Sequence, residues 1–174
     1  MHNIKIKTRR LLLRPLTIDD AGEVFEWVSD ERVSRYMVYT TYKSIAQVKE
    51  WLTFVEKDTS TYNFGFERLQ DGKLIGSGDI GRDSKSGYWG FGYNLRYDCW
   101  GNGYATEATK AMIEYVHGNF GAVHFVSSHA APNTASGHVM EKCGLHFTGY
   151  GEFQKLDGSC KMQSLKYKGE LINF

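Results

Sequence analysis

The sequence GYWGFGYNL at residues 87–95, followed by RYDCWGNGYATEA at residues 96–108, decides the fold of this chain. The first part is typical of a strand, and the glycines inside it usually mark a bulge or a place where something approaches the backbone closely. The second part leads into an amphipathic helix predicted over 104–117. Gly118 is expected to end that helix, and its inward face would carry Ala105, Ala108, Met112, Tyr115 and Val116.

The segments on either side alternate between strand and helix patterns. We call residues 100–106 the glycine-rich turn. Before it we predict a strand over 3–13, a helix beginning after Thr17, and a helix over 45–57 that starts with a capping box of Ser44 and Gln47. Its buried face would carry Ile45, Val48, Trp51, Leu52 and Val55. Further strands are predicted at 62–69, 73–80, 123–131, 145–154 and 159–168, with a helix at 133–143. The order predicts a single domain over 1–174 of the α+β class, with a mixed, mainly antiparallel sheet of about seven strands and about four helices.

Composition argues against several classes of protein. The 21 Lys and Arg residues nearly balance the 20 Asp and Glu residues, and no long basic stripe is present, so we predict no nucleic-acid partner. No apolar run is long enough for a signal peptide or a membrane span. The three cysteines have no CxxC spacing and the histidines are scattered, which predicts no metal site and a cytoplasmic protein with reduced thiols.

The turn at residues 100–106 is suited to holding a phosphate. The first amides of a helix lack intrahelical partners and the helix dipole favours negative charge there. Two better-known phosphate motifs do not fit, since a P-loop requires Lys after its last glycine and a dinucleotide fingerprint requires a third glycine. A short pyrophosphate loop and a plain helix-entry turn both remain open at this point.

A second segment, APNTASGHVMEKCGL at residues 131–145, lies further along. Asn133 could simply cap the helix that follows it. Alternatively, Asn133 and Ser136 are three residues apart and could face the same groove as the glycine-rich turn.

Together, TRRLLLRPLTIDDA at 8–21, YNLRYDCWGNGYATEA at 93–108 and APNTASGHVMEKCGL at 131–145 resemble the GCN5-related N-acetyltransferase (GNAT) superfamily, and within it the ribosomal-protein N-terminal acetyltransferases. The likeness covers nearly the whole chain. It implies a sheet that splays open between two central strands, and acetyl-CoA bound in the opening as cosubstrate, with no metal. By this resemblance the cofactor-binding residues are Tyr93, Leu95, Trp100, Gly101, Asn102, Gly103, Tyr104, Ala105, Thr106, Asn133 and Ser136.

Three positions depart from the family pattern. Trp100 stands where the loop often begins with Gln or Arg, Met140 where many relatives have a tyrosine acid, and Gly90 where this branch often has a glutamate base. The cofactor assignment survives all three departures, since Trp100 is a variation that this branch commonly shows, but the acid and base assignments are weakened.

The catalytic residues predicted from the remaining chemistry are Ser136, Tyr93 and Asp79. Ser136 would protonate the leaving thiolate, and the backbone N–H near Tyr93 would polarise the thioester carbonyl. A water chain to Asp79 or to a tyrosine would take the amine proton. The alternatives are that Asp79 is a strand-end turn residue and that Ser136 is an ordinary helix residue. An α-amino group is the favoured acceptor, because it loses its proton more easily than a lysine side chain. The expected partner is therefore a peptide N-terminus or a small amine, met by a monomer or a homodimer. A non-catalytic acyl-CoA-binding module is the alternative, and binding of another phosphate ligand is a third.

Overall fold

The structure, a computed structural model, describes residues 4–84 and 86–171. Within these ranges eight strands and five helices follow one another: β1 (Ile6–Lys7), β2 (Leu11–Arg14), α1 (Ala21–Val28), α2 (Glu31–Ser34), α3 (Ile45–Lys57), β3 (Thr61–Arg68), β4 (Leu74–Arg82), β5 (Trp89–Leu95), α4 (Tyr104–Phe120), β6 (His124–Ala130), α5 (Thr134–Lys142), β7 (His146–Gln154) and β8 (Lys161–Glu170). The predicted α+β class is confirmed, with one strand and one helix more than the approximate numbers expected.

All eight strands form one sheet in the order β1-β2-β3-β4-β5-β6-β8-β7. Every neighbouring pair is antiparallel except β5 and β6, which are parallel. Adjacent residues Leu74 and Ile75 of β4 belong to two separate buried clusters, because neighbouring side chains of a strand point to opposite faces. Helix α4 covers one face through residues such as Met112, and α1 and α3 cover the other through Trp27 and Leu52.

The prediction of one strand over 3–13 is wrong. Residues Ile6–Lys7 and Leu11–Arg14 form an antiparallel pair instead, and residue 3 lies outside the described residues. A tight turn separates them, in which the Thr8 amide donates to the Leu11 carbonyl at 2.8 Å and the Leu11 amide donates to Thr8 Oγ1 at 2.9 Å. The turn carries Arg10 out of the strand and toward α4.

Two helix details also differ from expectation. Helix α4 runs past Gly118 and ends at Gly121, whose φ of +64° is the left-handed conformation that closes a helix and whose amide bonds the His117 carbonyl at 2.9 Å. Ile45 is 45% exposed rather than buried, because it occupies the first position of α3, beyond the packed face. The predicted capping box of Ser44 and Gln47 is confirmed.

Candidate functional site

The sheet opens between β5 and β6. Their pairing is limited to Trp89 opposite Phe125 and Gly90 opposite Val126, after which the Ser127 hydroxyl donates to the Phe91 carbonyl at 2.9 Å. The backbone groups of a strand alternate between its two edges. Since Arg96 donates to Ile75 on the β4 side and Phe91 accepts on the β6 side, the amides of Tyr93 and Leu95 face the opening.

The Trp100 side chain occupies one of the backbone groups that β5 turns toward the opening. Its indole Nε1 donates to the Leu95 carbonyl at 3.0 Å, and its ring lies 5.0 Å from that of Tyr97. The Leu95 carbonyl therefore already has a donor, which leaves the Leu95 amide and both backbone groups of Tyr93 for a ligand in the opening.

The glycine-rich turn forms the beginning of α4. Gly101 and Gly103 have φ values of +74° and +77°, which side-chain-bearing residues adopt only with strain. The first helical hydrogen bond is donated by Glu107 to the Gly103 carbonyl at 3.1 Å. Among the described residues, the amides from Gly101 to Thr106 have no intramolecular acceptor, so this turn presents a row of unused donors.

The side chain of Asn102 braces this turn from within. Its Nδ2 donates to the carbonyls of Cys99 at 3.3 Å and Trp100 at 2.9 Å. Asn102 therefore offers a ligand its backbone amide rather than its side chain.

Arg10 and Glu107 lie beside the turn and were not predicted as part of it. Arg10 Nε donates to Glu107 Oε2 at 2.7 Å, Arg10 Nη1 donates to the Asn102 carbonyl at 3.0 Å, and the guanidinium lies over the Tyr104 ring. Burial acts to raise the pKa of Glu107, but hydrogen bonds from Thr8 and Arg10 outweigh it and hold that pKa below its usual value. The ion pair neutralises the Glu107 carboxylate, which would otherwise repel a phosphate. The pairing could not be predicted from local sequence, because Arg10 and Glu107 are 97 positions apart.

Across the opening, Asn133, Ser136 and Tyr93 form one hydrogen-bonded group. The Tyr93 hydroxyl lies 3.1 Å from the Ser136 carbonyl oxygen and 3.3 Å from Ser136 Oγ, and Asn133 Nδ2 donates to Ser136 Oγ at 3.3 Å. The expectation that Asn133 could cap α5 is not met, since its side chain makes no capping bond. Burial raises the pKa of Tyr93 above its usual value, so its hydroxyl keeps its proton.

Gly137 allows α5 to lie this close to β6. A Cβ at this position would lie 2.9 Å from His129 Nε2 and 3.0 Å from Tyr167 Oη, which is nearer than van der Waals contact permits. Because Gly137 has no side chain, α5 packs close to β6, and this sets the distance between the neighbouring Ser136 and the opening.

A cavity of about 370 Å³ connects these groups to the other face of the sheet. Tyr93, Asn133 and Ser136 line one end of it, and Asp79 lies on its floor. Asp79 is opposite Asn63 of β3 and Gly92 of β5, so it points to the face covered by α1 and α3. The structure thus brings the three predicted catalytic residues to one cavity, while the glycine-rich turn at the start of α4 lies outside its lining.

Asp79 has unusual surroundings for a carboxylate. Among the described residues it has no hydrogen-bond or ion-pair partner, and its Oδ1 would be 3.1 Å from a Cβ at Gly92. Burial, with a smaller contribution from the charge of Asp58, raises the pKa of Asp79 to about 6. More than a third of the surface of this residue is nevertheless accessible to solvent, because protein surrounds the cavity but the cavity itself is open. A ligand filling the cavity would remove that remaining solvent.

The roof of the cavity is a loop from Tyr36 to Tyr42, part of the 30–44 segment that the sequence led us to expect at the wall of the acceptor pocket together with the 152–160 turn. Lys155, from the turn between β7 and β8, holds this loop through its Nζ, which donates to the carbonyls of Ser34 at 2.8 Å, Met37 at 3.0 Å and Tyr39 at 2.8 Å. The adjacent Leu156 amide donates to the Val38 carbonyl at 2.8 Å. Lys155 is a positioning residue that no local sequence signal identified, because its partners are more than 110 residues away.

The described residues contain neither a helix that could cross a membrane nor a group of three or more metal-ligating side chains.

Comparison with known proteins agrees with this arrangement. A sequence profile of the acetyltransferase (GNAT) domain matches residues 10–146. The chain is similar to the uncharacterized N-acetyltransferase p20 of Bacillus licheniformis, with 27% identity over 112 residues, and this match covers 62% of the chain and 63% of that protein, just under two thirds of its length.

Solved structures share the fold at lower identity. An acetyltransferase of the GNAT family from Bacillus anthracis superimposes with a TM-score of 0.83 at 23% identity, covering 96% of this chain and 98% of the other. RimL, a ribosomal L7/L12 alpha-N-protein acetyltransferase solved in complex with coenzyme A, superimposes with a TM-score of 0.82 at 14% identity and the same coverage of both chains. With the family profile matched over most of its length, on a sheet opened between β5 and β6, the chain belongs to the acetyltransferase (GNAT) family.

Proposed function

We propose that this protein transfers an acetyl group from acetyl-CoA to an α-amino group, with Asp79 as the base and Ser136 as the acid. The observation that carries the proposal is the unpaired Asp79 carboxylate, which lies in the same cavity as Ser136 and Tyr93. Coenzyme A is bound by the structural neighbour RimL, and the residues of this chain suit the same ligand.

The chain has a suitable group for each part of acetyl-CoA. The unused amides from Gly101 to Thr106 suit the pyrophosphate, since aligned donors at a helix start bind anions. The Tyr93 carbonyl and the Leu95 amide suit the pantetheine arm in the opening, and Asn133 lies at its wall. The thioester supplies an activated acetyl group, and the Tyr93 amide would donate to its carbonyl oxygen as negative charge develops there.

Asp79 would act as the base in place of the glutamate that related enzymes often have at the position of Gly90. Gly90 and Gly92 are two residues apart on β5, so they share a face, and Asp79 is directly opposite Gly92. Asp79 is thus a diagonal neighbour of position 90, at a distance of about 7–8 Å in a regular sheet. It would take the proton of the acceptor directly or through one water.

The proton affinities of the two kinds of amine favour an α-amino acceptor, whatever the pKa of the base. Transfer of a proton from an α-ammonium group with a pKa of about 7.8 to the Asp79 carboxylate with a pKa of about 6 is unfavourable by about 1.8 pKa units. For a lysine side chain, with a pKa of about 10.4, the difference is about 4.4 units. The preference for the α-amino group amounts to about 3.5 kcal/mol at this step.

Ser136 is the acid for the leaving thiolate. Asn133 donates to its oxygen, which makes the Ser136 proton easier to release, and Tyr93 holds the side chain in place. Because the thiol of coenzyme A has a pKa near about 8.5, modest assistance from a hydroxyl is sufficient, and Met140 need not be a tyrosine.

The test is release of free thiol from acetyl-CoA in the presence of α-amino peptides, amino acids, polyamines and aminoglycosides. We expect release only with certain amines, and acetylated product of matching mass. Tight binding of coenzyme A without release for any amine would instead support the non-catalytic acyl-CoA-binding module.

A further inference from the structure

The roof and side walls of the cavity are apolar and aromatic. This lining, named here the aromatic roof, consists of Tyr36, Met37, Val38, Tyr39, Tyr42, Trp51, Phe153 and Leu156. Tyr39 and Tyr42 pack edge to face with ring centroids 5.6 Å apart, and the loop that carries them is held by Lys155. The roof is therefore a braced surface suited to an apolar body.

The floor below the aromatic roof carries almost no charge. Among the described residues that line the cavity, Asp79 is the only Lys, Arg, Asp or Glu side chain. Lys155 is close by, but its ammonium group already donates to the Ser34 carbonyl at the end of α2 and to two carbonyls of the loop. Of the described residues, a ligand in this cavity therefore meets one carboxylate and no Lys or Arg side chain. His129 also lines the cavity, but its Nδ1 bonds the carbonyl of the next residue at 2.9 Å and its Nε2 packs against Gly137.

The remaining polar groups on the floor are neutral. Ser77 and Asn94 lie opposite each other on the same face as Asp79, and the Ser77 hydroxyl donates to Asn94 Oδ1 at 3.1 Å. This bond leaves the Asn94 amide nitrogen for a carbonyl oxygen of a ligand. A neutral amide group beside the amine would be accepted there, whereas a carboxylate would find no cation.

We infer that the acceptor is a singly charged amine attached to an apolar or aromatic body, with no carboxylate beside the amine. This chemistry belongs to a peptide N-terminus with an apolar first residue; a simple arylalkylamine shares it, except that its amine is more basic. The inference rests on the proposed function and narrows it to a substrate class.

Two other classes of amine are disfavoured by the same lining. A free amino acid would bring its carboxylate next to Asp79, and two carboxylates that share a site repel each other. A polyamine would bury a second ammonium group against the aromatic roof without a partner, which costs far more than burying an apolar group.

The experiment measures kcat/KM from thiol release with four acceptors that share a phenyl group: phenylalaninamide, the dipeptide amide phenylalanyl-glycinamide, phenethylamine and phenylalanine. Glycinamide, which lacks the apolar body, and spermidine complete the set. We expect kcat/KM for phenylalaninamide to be at least about tenfold higher than for phenylalanine, glycinamide or spermidine. The reason is that removing one well-buried apolar or charge interaction changes an equilibrium by about 1.4 kcal/mol or more. Phenethylamine should also exceed phenylalanine, although its amine is more basic, so amine basicity alone does not explain the order.

A variant tests the charge of the lining directly. Leu156 lines the cavity and is 83% exposed, so Leu156→Arg adds a cation at the rim without disturbing buried packing. We expect it to narrow the gap between phenylalanine and phenylalaninamide by about 2- to 5-fold, the range of an exposed ion pair. Leu69→Arg, which is outside the cavity lining, is the control and should leave the gap unchanged.

The outcomes separate the inference from the proposed function. Thiol release in which phenylalanine or spermidine equals phenylalaninamide would overturn the inference and leave acetyl transfer standing. Absence of release with every acceptor would overturn the proposed function and the inference with it. If the dipeptide amide is accepted better than phenethylamine, the source is a peptide N-terminus; the reverse order identifies a small arylalkylamine.

Discussion

Replacing Asp79 with asparagine should make the protein more stable and less active. The folded state raises the pKa of this carboxyl from 3.8 to about 6, so it disfavours the ionised form by a ceiling of about 3 kcal/mol. Asp79 is more than a third exposed, and solvent screening reduces this penalty to about 1 kcal/mol. Asp79→Asn keeps the shape of the side chain and removes the charge.

The sign of the pH dependence follows from proton binding. Between pH 3.8 and about 6 the folded protein holds more protons at Asp79 than the unfolded chain does, so wild-type stability falls as pH rises through this window. Above pH 6 the penalty is complete, and below pH 3.8 it is absent. Asp79→Asn should therefore raise the melting temperature by about 2–4 °C at pH 8, and by less at pH 5.

Activity should change in the opposite direction. Loss of a general base lowers kcat by about 10²–10⁴-fold. We expect kcat/KM of the wild type to fall on acidification through pH about 6 by more than protonation of the amine explains, and the variant should lack this additional fall. The assays are thermal unfolding at pH 5 and pH 8, and thiol release across the same range. Asp19→Asn removes an exposed carboxylate outside the cavity lining and should change neither. A variant with native kcat, or with no gain in melting temperature at pH 8, would refute the role given to Asp79.

Three further substitutions test the other parts of the site. Gly103→Val should weaken acetyl-CoA binding by about tenfold or more, whereas Gly121→Val, with a similar φ of +64° at the opposite end of α4, should cost a comparable ~1–2 kcal/mol of stability and leave affinity unchanged by calorimetry. Ser136→Ala should lower kcat by about 10²-fold and less for a donor with a more acidic thiol; an equal loss for both donors would make Ser136 a structural residue. Lys155→Met should raise the KM of the acceptor by about tenfold through a loosened roof, without change in acetyl-CoA affinity, whereas the exposed Lys161→Met should alter neither.

Most of the fold could be predicted because its signals are local. The capping box of Ser44 and Gln47 fixed the start of α3, and the alternation of apolar residues identified the central strands. Where the prediction was wrong, a tertiary or turn contact was responsible. Thr8 turns the first segment back on itself, and Gly121 rather than Gly118 closes α4.

The candidate site was predictable to a smaller degree. Ser136 and Asn133 could be paired from their spacing in one helix turn, and the structure adds Tyr93 from a distant strand to that group. Arg10 could not be found from sequence, because the alternating basic residues around it are typical of the wet face of a strand. Its position against Glu107 depends on how β1 and β2 pack beside α4.

The sequence by itself determined the class of the fold, the turn that starts α4 and the resemblance to the GNAT superfamily, because each depends on residues close together in the chain. Only the tertiary structure decided that Asp79 is unpaired beside Gly92 and that Lys155 holds the loop over it. A carboxylate acquires its proton affinity from the charges and solvent around it, and those come from β3, β5 and a cavity formed by segments far apart in sequence. Local pattern specifies where a strand runs, but it does not specify which side chains on neighbouring strands are left without partners.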